Sequence, residues 1–187
     1  MLHLNFSPFP VLESARLQFR KLTDADAPEI LRLRGNPDTM KYIPRPLAKS
    51  LEDAVAHIKQ INDKIDENLD INWAVTEKGN DICIGLMGFY RTQPEHYRTE
   101  LGYMIAPEYW GKGYATEAIN TLLDYAFHTL RFHSIEAVID ARHTASERVL
   151  QKSGFVKEAH FKENFYYNHE FTDTVVYGLL QRNFIKK

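Results

Sequence analysis

Two glycines flanking a lysine, Gly111-Lys112-Gly113, stand directly before a long amphipathic stretch, and this is where the sequence first offers chemistry. A glycine turn that feeds a helix leaves the first N–H groups of that helix without intrahelical partners, gathered at the positive end of its dipole. The missing Cβ atoms let an anion approach the backbone, and Lys112 adds positive charge, so the segment can hold a phosphate. It can equally be a plain turn between two core elements. A nucleotide P-loop requires Ser or Thr after Gly-Lys, whereas Gly113 follows Lys112 here; a dinucleotide turn wants a third Gly where Thr116 stands.

A strand and a helix must position this turn. Leu101, Tyr103 and Ile105 alternate with Glu100, Gly102 and Met104, the period of a strand. Ala115, Ala118, Ile119, Leu122, Leu123, Ala126 and Leu130 recur as one helical face. Placed between these elements, Trp110-Gly111-Lys112-Gly113-Tyr114-Ala115 resembles the acyl-CoA signature Q/R-x-x-G-x-G/A of the GNAT N-acetyltransferases. The longer run from Ala106 to Ala118, APEYWGKGYATEA, is similar to their ribosomal-protein alanine/serine N-acetyltransferase branch. The resemblance extends from about Glu13 to Leu180, with two departures: Trp110 replaces the usual Gln or Arg, and His143 replaces the Asn usual in the branch.

The resemblance implies an α/β (α+β) acyl-CoA N-acyltransferase fold across 1–187, with a mixed, mostly antiparallel sheet splayed at its centre and flanked by helices. It implies acetyl-CoA as co-substrate, with the pyrophosphate on Trp110, Gly111, Lys112, Gly113, Tyr114, Ala115 and Thr116. The pantetheine arm would pair with the backbone of Met104, Ile105 and Ala106, and His143 would contact the arm. Acetyl transfer needs a neutral amine, a polarised carbonyl and a proton for the leaving thiolate. Glu100 is the candidate base, acting directly or through water; it can also be a rim carboxylate that only orients the amine. Ser146 is the hydroxyl near the sulfur, because Leu150 stands where related enzymes often have Tyr; it can also be a residue that merely starts a helix. Tyr42, Trp73 and Tyr90 are candidates for acceptor contact, each with the alternative of an aromatic packed in the core.

The implied activity is direct acetyl transfer to a primary amine, with a protein N-terminal Ala or Ser as the acceptor that the branch favours. A small amine, polyamine or antibiotic is the alternative acceptor, and a non-catalytic acyl-CoA sensor or a dinucleotide enzyme using Asp140 are the other readings. A homodimer is compatible with the family. No metal is expected, since the eight histidines are widely spaced and no HExxH occurs.

Composition agrees with a globular protein. A net charge of −2 argues against binding nucleic acid through a basic surface, and no apolar run is long enough to span a membrane, so a cytoplasmic location is expected. Cys83, the single cysteine, excludes an internal disulfide and lies in an apolar run that suits a packed thiol.

Further elements follow in order. Leu17 to Leu22 reads as a core strand, and Thr23 with Asp26 has capping-box spacing for a helix to Gly35. Asn36 to Pro46 reads as a loop, and Ser50 with Asp53 opens a helix through about Glu67. Ile71 to Thr76 and Ile82 to Tyr90 flank the turn Lys78-Gly79-Asn80-Asp81 as a hairpin. Ser134 to Asp140 is a strand, Thr144 to Ser153 a helix ended by Gly154, Phe155 to about Phe161 a strand, Phe165 to His169 a connection, and Thr174 to Leu180 the last strand.

Overall fold

Eight strands form one sheet in the order β1-β2-β3-β4-β5-β6-β8-β7. They are β1 (Leu12–Glu13), β2 (Leu17–Arg20), β3 (Ile71–Glu77), β4 (Asn80–Gln93), β5 (Arg98–Ile105), β6 (Ser134–Asp140), β7 (Val156–Tyr167) and β8 (Glu170–Leu180) in the computed structural model, which describes residues 1–186. Every neighbouring pair is antiparallel except β5 and β6. Parallel strands need a crossover, and the helix α4 (Tyr114–His128) provides it. The mixed, mostly antiparallel sheet is therefore present. Its topology leaves no room for the doubly wound parallel sheet of a dinucleotide enzyme, and Asp140 is held instead by Arg142 Nη2 at 2.7 Å.

Strand alternation gives the sheet two different faces. Trp73, Met87, Phe89 and Leu101 are buried on the face covered by α4, whose Ala118, Ile119, Leu122 and Leu123 are the buried stripe read from the sequence. On the other face lie Tyr90, Glu100 and Gly102, cross-strand neighbours of the β4–β5 ladder, beneath the helices α1 (Ala27–Gly35) and α3 (Leu51–Asp66).

The capping box is formed and opens a 3-10 turn, Asp24–Asp26, that leads into α1: Asp26 accepts from the Thr23 N–H at 2.9 Å while its carboxylate takes both Arg20 Nη1 (2.8 Å) and Nη2 (2.7 Å). At α3 the reciprocal bond goes elsewhere. The Ser50 side chain accepts from the Asp53 N–H, but the Asp53 carboxylate takes the N–H of Lys49 at 2.8 Å.

Two segments differ from expectation. The loop from Asn36 holds a short helix, α2 (Pro37–Met40), because Asn36 accepts from the N–H groups of Asp38 and Thr39 and Pro37 pre-sets the first helical φ. The connection expected over Phe165 to His169 is shorter: β7 runs on to Tyr167, and only Asn168-His169, both left-handed at φ 49° and 62°, turn the chain into β8. A register shift between Phe161 and Phe165, with Glu163 at φ 46°, interrupts the alternation that would have announced one long strand.

Candidate active site

β5 and β6 pair only at Arg98 with Ser134, Thr99 with Ile135 and Glu100 with Glu136. Beyond Glu100 the two strands diverge, and the β5 edge from Leu101 to Ile105 faces an opening. Which backbone groups face it follows from register. The Ala106 N–H donates to Ile84 O on β4 at 2.9 Å, and antiparallel alternation then sends the polar groups of Met104 and Gly102 to β4 as well. Tyr103 and Ile105 therefore present theirs to the opening. The Ile105 carbonyl is taken by Trp110 Nε1–H at 2.7 Å, which leaves the Ile105 N–H and both polar groups of Tyr103 for an arm laid along the edge. This corrects the expectation for the backbones of Met104 and Ala106: register sends Met104 to β4, and Ala106 gives its N–H to β4 and its carbonyl to the Tyr109 N–H at 2.9 Å. Trp110 shapes the opening by locking a carbonyl, with half of its surface exposed.

At the outer end lies the glycine turn. The Trp110 N–H closes on Pro107 O and the Glu117 N–H on Gly113 O, each at 3.0 Å; between them no N–H from Gly111 to Thr116 has a backbone partner among the described residues. Gly111 and Gly113 are left-handed at φ 72° and 80°, and a Cβ on Gly111 would meet nothing within 4 Å. The turn is thus an open cradle of donors at the start of α4, with Lys112, Tyr114, Ala115 and Thr116 around it, and it fits a diphosphate.

A tether that the sequence reading missed holds the cradle. Arg16 donates from Nε to Glu117 at 2.6 Å and from Nη1 to Lys112 O at 3.0 Å, and lies over the Tyr114 ring at 4.3 Å; Ser14 also donates to Glu117. Burial works against charge on Glu117, yet the bonds from Ser14 and Arg16 outweigh it and hold its pKa below the usual glutamate range. Some hundred residues separate the partners, so no local pattern announces them.

Deeper in the opening, Ser146 sits in the first turn of α5 (Thr144–Lys152), buried, and its hydroxyl lies 2.5 Å from the phenol oxygen of Tyr103. Burial pushes the Tyr103 phenol up to about 12, against the Ser146 bond. Tyr103 was legible only as an apolar strand residue, since nothing local says that a helix from the far side of the gap reaches it.

Glu100 points from the opposite face of β5, as its odd separation from Tyr103 dictates. Its pKa is raised by burial, against the charge and hydrogen bond of Arg91 and with the help of Glu136 and Asp70. Arg91 reaches it at 2.5 Å from a bulge where β4 shifts register and φ is 48°. Beside Glu100, Tyr90 lies flat on the sheet; a Cβ on Gly102 would come within 2.6 Å of its ring. Burial raises the Tyr90 phenol, so it stays protonated.

Tyr42 and His143 are brought together. Their rings stack at 4.5 Å and 25°, joining the segment after α2 to the start of α5 at the diverging end of the strand pair. Burial lowers the His143 pKa, against Asp140, so its imidazole is neutral near neutral pH. Trp73 is not at the site. It is fully buried on the α4 face, donates to Pro10 O at 2.7 Å and meets Tyr125 edge-on, so it corrects to a core residue. Burial raises the Cys83 thiol to about 12, which suits the packed thiol expected. Among the described residues no side-chain group could hold a metal ion, and no helix is long and apolar enough to cross a membrane.

Comparison with known proteins agrees with this geometry. Residues 16–156 match the family model of the acetyltransferase (GNAT) domain. An uncharacterized N-acetyltransferase of Bacillus subtilis, YoaA, is 34% identical over 173 residues, covering 92% of this chain and 98% of its own. The crystal structure of spermidine N-acetyltransferase from Vibrio cholerae in complex with CoA and spermine is similar with a TM-score of 0.79 at 28% identity, covering 89% of this chain and 96% of that one. The ribosomal-protein-S5-alanine acetyltransferase of Vibrio fischeri has a TM-score of 0.82, covering 94% and 99%, but at 24% identity it shares the fold alone. With a phosphate cradle, a half-open strand pair and a family match across most of its length, the chain belongs to the GNAT acetyltransferase family and is an acetyl-CoA-dependent N-acetyltransferase.

Proposed function

We propose that this N-acetyltransferase acetylates a primary amine on a small molecule, by direct attack on the thioester in a ternary complex. The observation that carries the route is the placement of Glu100 and the Tyr103–Ser146 pair on opposite faces of one strand at the closed end of the opening. The amine nitrogen bonds to the acyl carbon from the Glu100 side, its proton passes to Glu100 or to water held there, and the carbon–sulfur bond breaks toward Ser146. A covalent acyl-enzyme is disfavoured, because Cys83 is buried and its thiol is held protonated.

Magnitudes decide what the hydroxyl pair does. A phenol near 12 gives its proton reluctantly to a thiolate whose acid titrates about 8.5 in a cysteine reference. The pair shares one of its two hydroxyl hydrogens internally and offers the other to the sulfur. It stabilises the developing charge as a hydrogen-bond donor, and the thiolate takes its proton from solvent.

The 28% identity to a spermidine N-acetyltransferase supports a small-molecule acceptor over the protein N-terminus that the branch resemblance suggested. Incubation with acetyl-CoA, a panel of small amines and a panel of peptides beginning with Ala or Ser, followed by mass spectrometry, tests the choice. A mass gain of one acetyl group on small amines is expected; acetylation confined to peptides would reverse it.

A further inference from the structure

The acceptor side of the sheet carries a cation that the protein does not neutralise. Arg16, Arg20, Arg32, Arg91, Arg98 and Arg142 each meet a carboxylate. Arg34, half-buried in the last turn of α1, has no carboxylate partner and makes no side-chain hydrogen bond among the described residues. A solvated Arg at a helix C-terminus would merely offset the dipole. This one is withdrawn from water instead: burial lowers its pKa, the neighbouring Tyr90 opposes that, and the charge of Arg45 adds to it. A half-buried guanidinium without a counter-ion costs stability, and an anion arriving with a ligand would offset the cost.

The helix that carries this cation, α1, packs on β4, the strand whose Tyr90 neighbours the candidate base. Tyr90 pairs with Glu100 across the β4–β5 ladder, and its phenol feels the charges of both Arg34 and Glu100. Asp70, the other carboxylate near Tyr90, is taken by Lys64 at 2.7 Å. From α3, His57 faces the same space, and burial together with the Arg34 charge lowers its pKa to about 4, so it adds a neutral imidazole and no competing acid. Arg45, exposed on the segment after α2, stands at the rim and meets only a backbone carbonyl. One face therefore carries Glu100, paired with Arg91, the protonated Tyr90 phenol beside it, and Arg34, whose charge no carboxylate meets.

We propose that the acceptor is an amine that also carries an anionic group, a carboxylate or a phosphate, which Arg34 binds while Glu100 receives the amine. This rests on the acetyl-transfer reading and narrows it. A polycation such as a polyamine would bring positive charge to the Arg34 end, where the protein already has a surplus. An amino acid or an aminoalkyl phosphate matches both ends.

Turnover of β-alanine, 2-aminoethyl phosphate, ethanolamine and spermidine by the full chain tests this. One or both anionic amines should give the highest kcat/KM, and which of the two leads tells carboxylate from phosphate. In Arg34→Gln their KM should rise on the order of ten- to hundredfold more than that of ethanolamine, with kcat for the anionic amines nearly held, and Arg34→Lys should recover part of the loss. Spermidine or ethanolamine outpacing both, or an equal loss for every amine in Arg34→Gln, would overturn the proposal. A second measurement needs no turnover: with CoA present, at least one of the two anionic amines should raise the Tm of the wild type and not of Arg34→Gln. If neither shifts it, the proposal fails. A shift that depends on Arg34 without acetylation of any amine would keep the anion site and sink the acetyl-transfer reading instead.

Discussion

The phenol oxygen of Tyr103 lies 2.5 Å from the hydroxyl of Ser146, so the central strand and the first turn of α5 touch through two buried hydroxyls across a gap where the strands themselves no longer pair. Because each holds the other, removing either should disable both. Tyr103→Phe and Ser146→Ala should each lower kcat on the order of tenfold, the value of a hydrogen bond to a charged group, with CoA affinity nearly unchanged. The double variant should lose no more than the worse single one, and additive losses in a double-mutant cycle would show two independent groups.

Glu100 and Arg91 make a prediction about pH. Burial raises the Glu100 pKa and Arg91 opposes the rise, so the base form is reached only above the usual glutamate range, and it is reached later still without Arg91. The acidic limb of log kcat/KM should shift to higher pH in Arg91→Gln, while Glu100→Gln should remove that limb along with most of the rate. A limb left in place by Glu100→Gln would assign the titration to another group.

For the cradle, Gly111→Ala separates binding from folding. The left-handed φ of 72° costs an alanine about 1 kcal/mol, or roughly 2–4 °C in Tm for a chain of this size. The added methyl would project into the open space beside the turn, so the Kd for CoA should rise on the order of tenfold. Calorimetry reads both; an unchanged Kd would place the diphosphate elsewhere.

Stability at low pH should depend on Asp26. Burial works against its charge, yet Arg20 and the Thr23 N–H hold its pKa below the ordinary aspartate value of 3.8. A depressed pKa gives stability that is complete above that value and declines as pH falls below it. Asp26→Asn should destabilise at neutral pH by roughly 2–4 kcal/mol, since it leaves Arg20 with only Asp81 and loosens the start of α1. The wild-type and variant denaturation midpoints should converge on acidification, and a constant difference down to pH 2 would deny Asp26 this role.

Local chemistry alone determined much of this protein. Gly111, Gly113 and the apolar period after them specify a strand, an anion-ready turn and a helix, because glycine sterics and hydrophobic spacing act over a few residues. Thr23 with Asp26 likewise announced the 3-10 turn that leads into α1. The connection expected over Phe165 to His169 shrinks to the turn Asn168-His169, since no glycine marks that turn and the bulge near Glu163 hides the strand leading to it. What only the tertiary structure decided is which distant groups share a space: Arg16 with Glu117, Tyr103 with Ser146, Tyr42 with His143, and Arg34 beside Tyr90 with no acid of its own. It also sent Trp73 to the core, because the parity of a residue along a strand assigns its face only once the register with its neighbours is set.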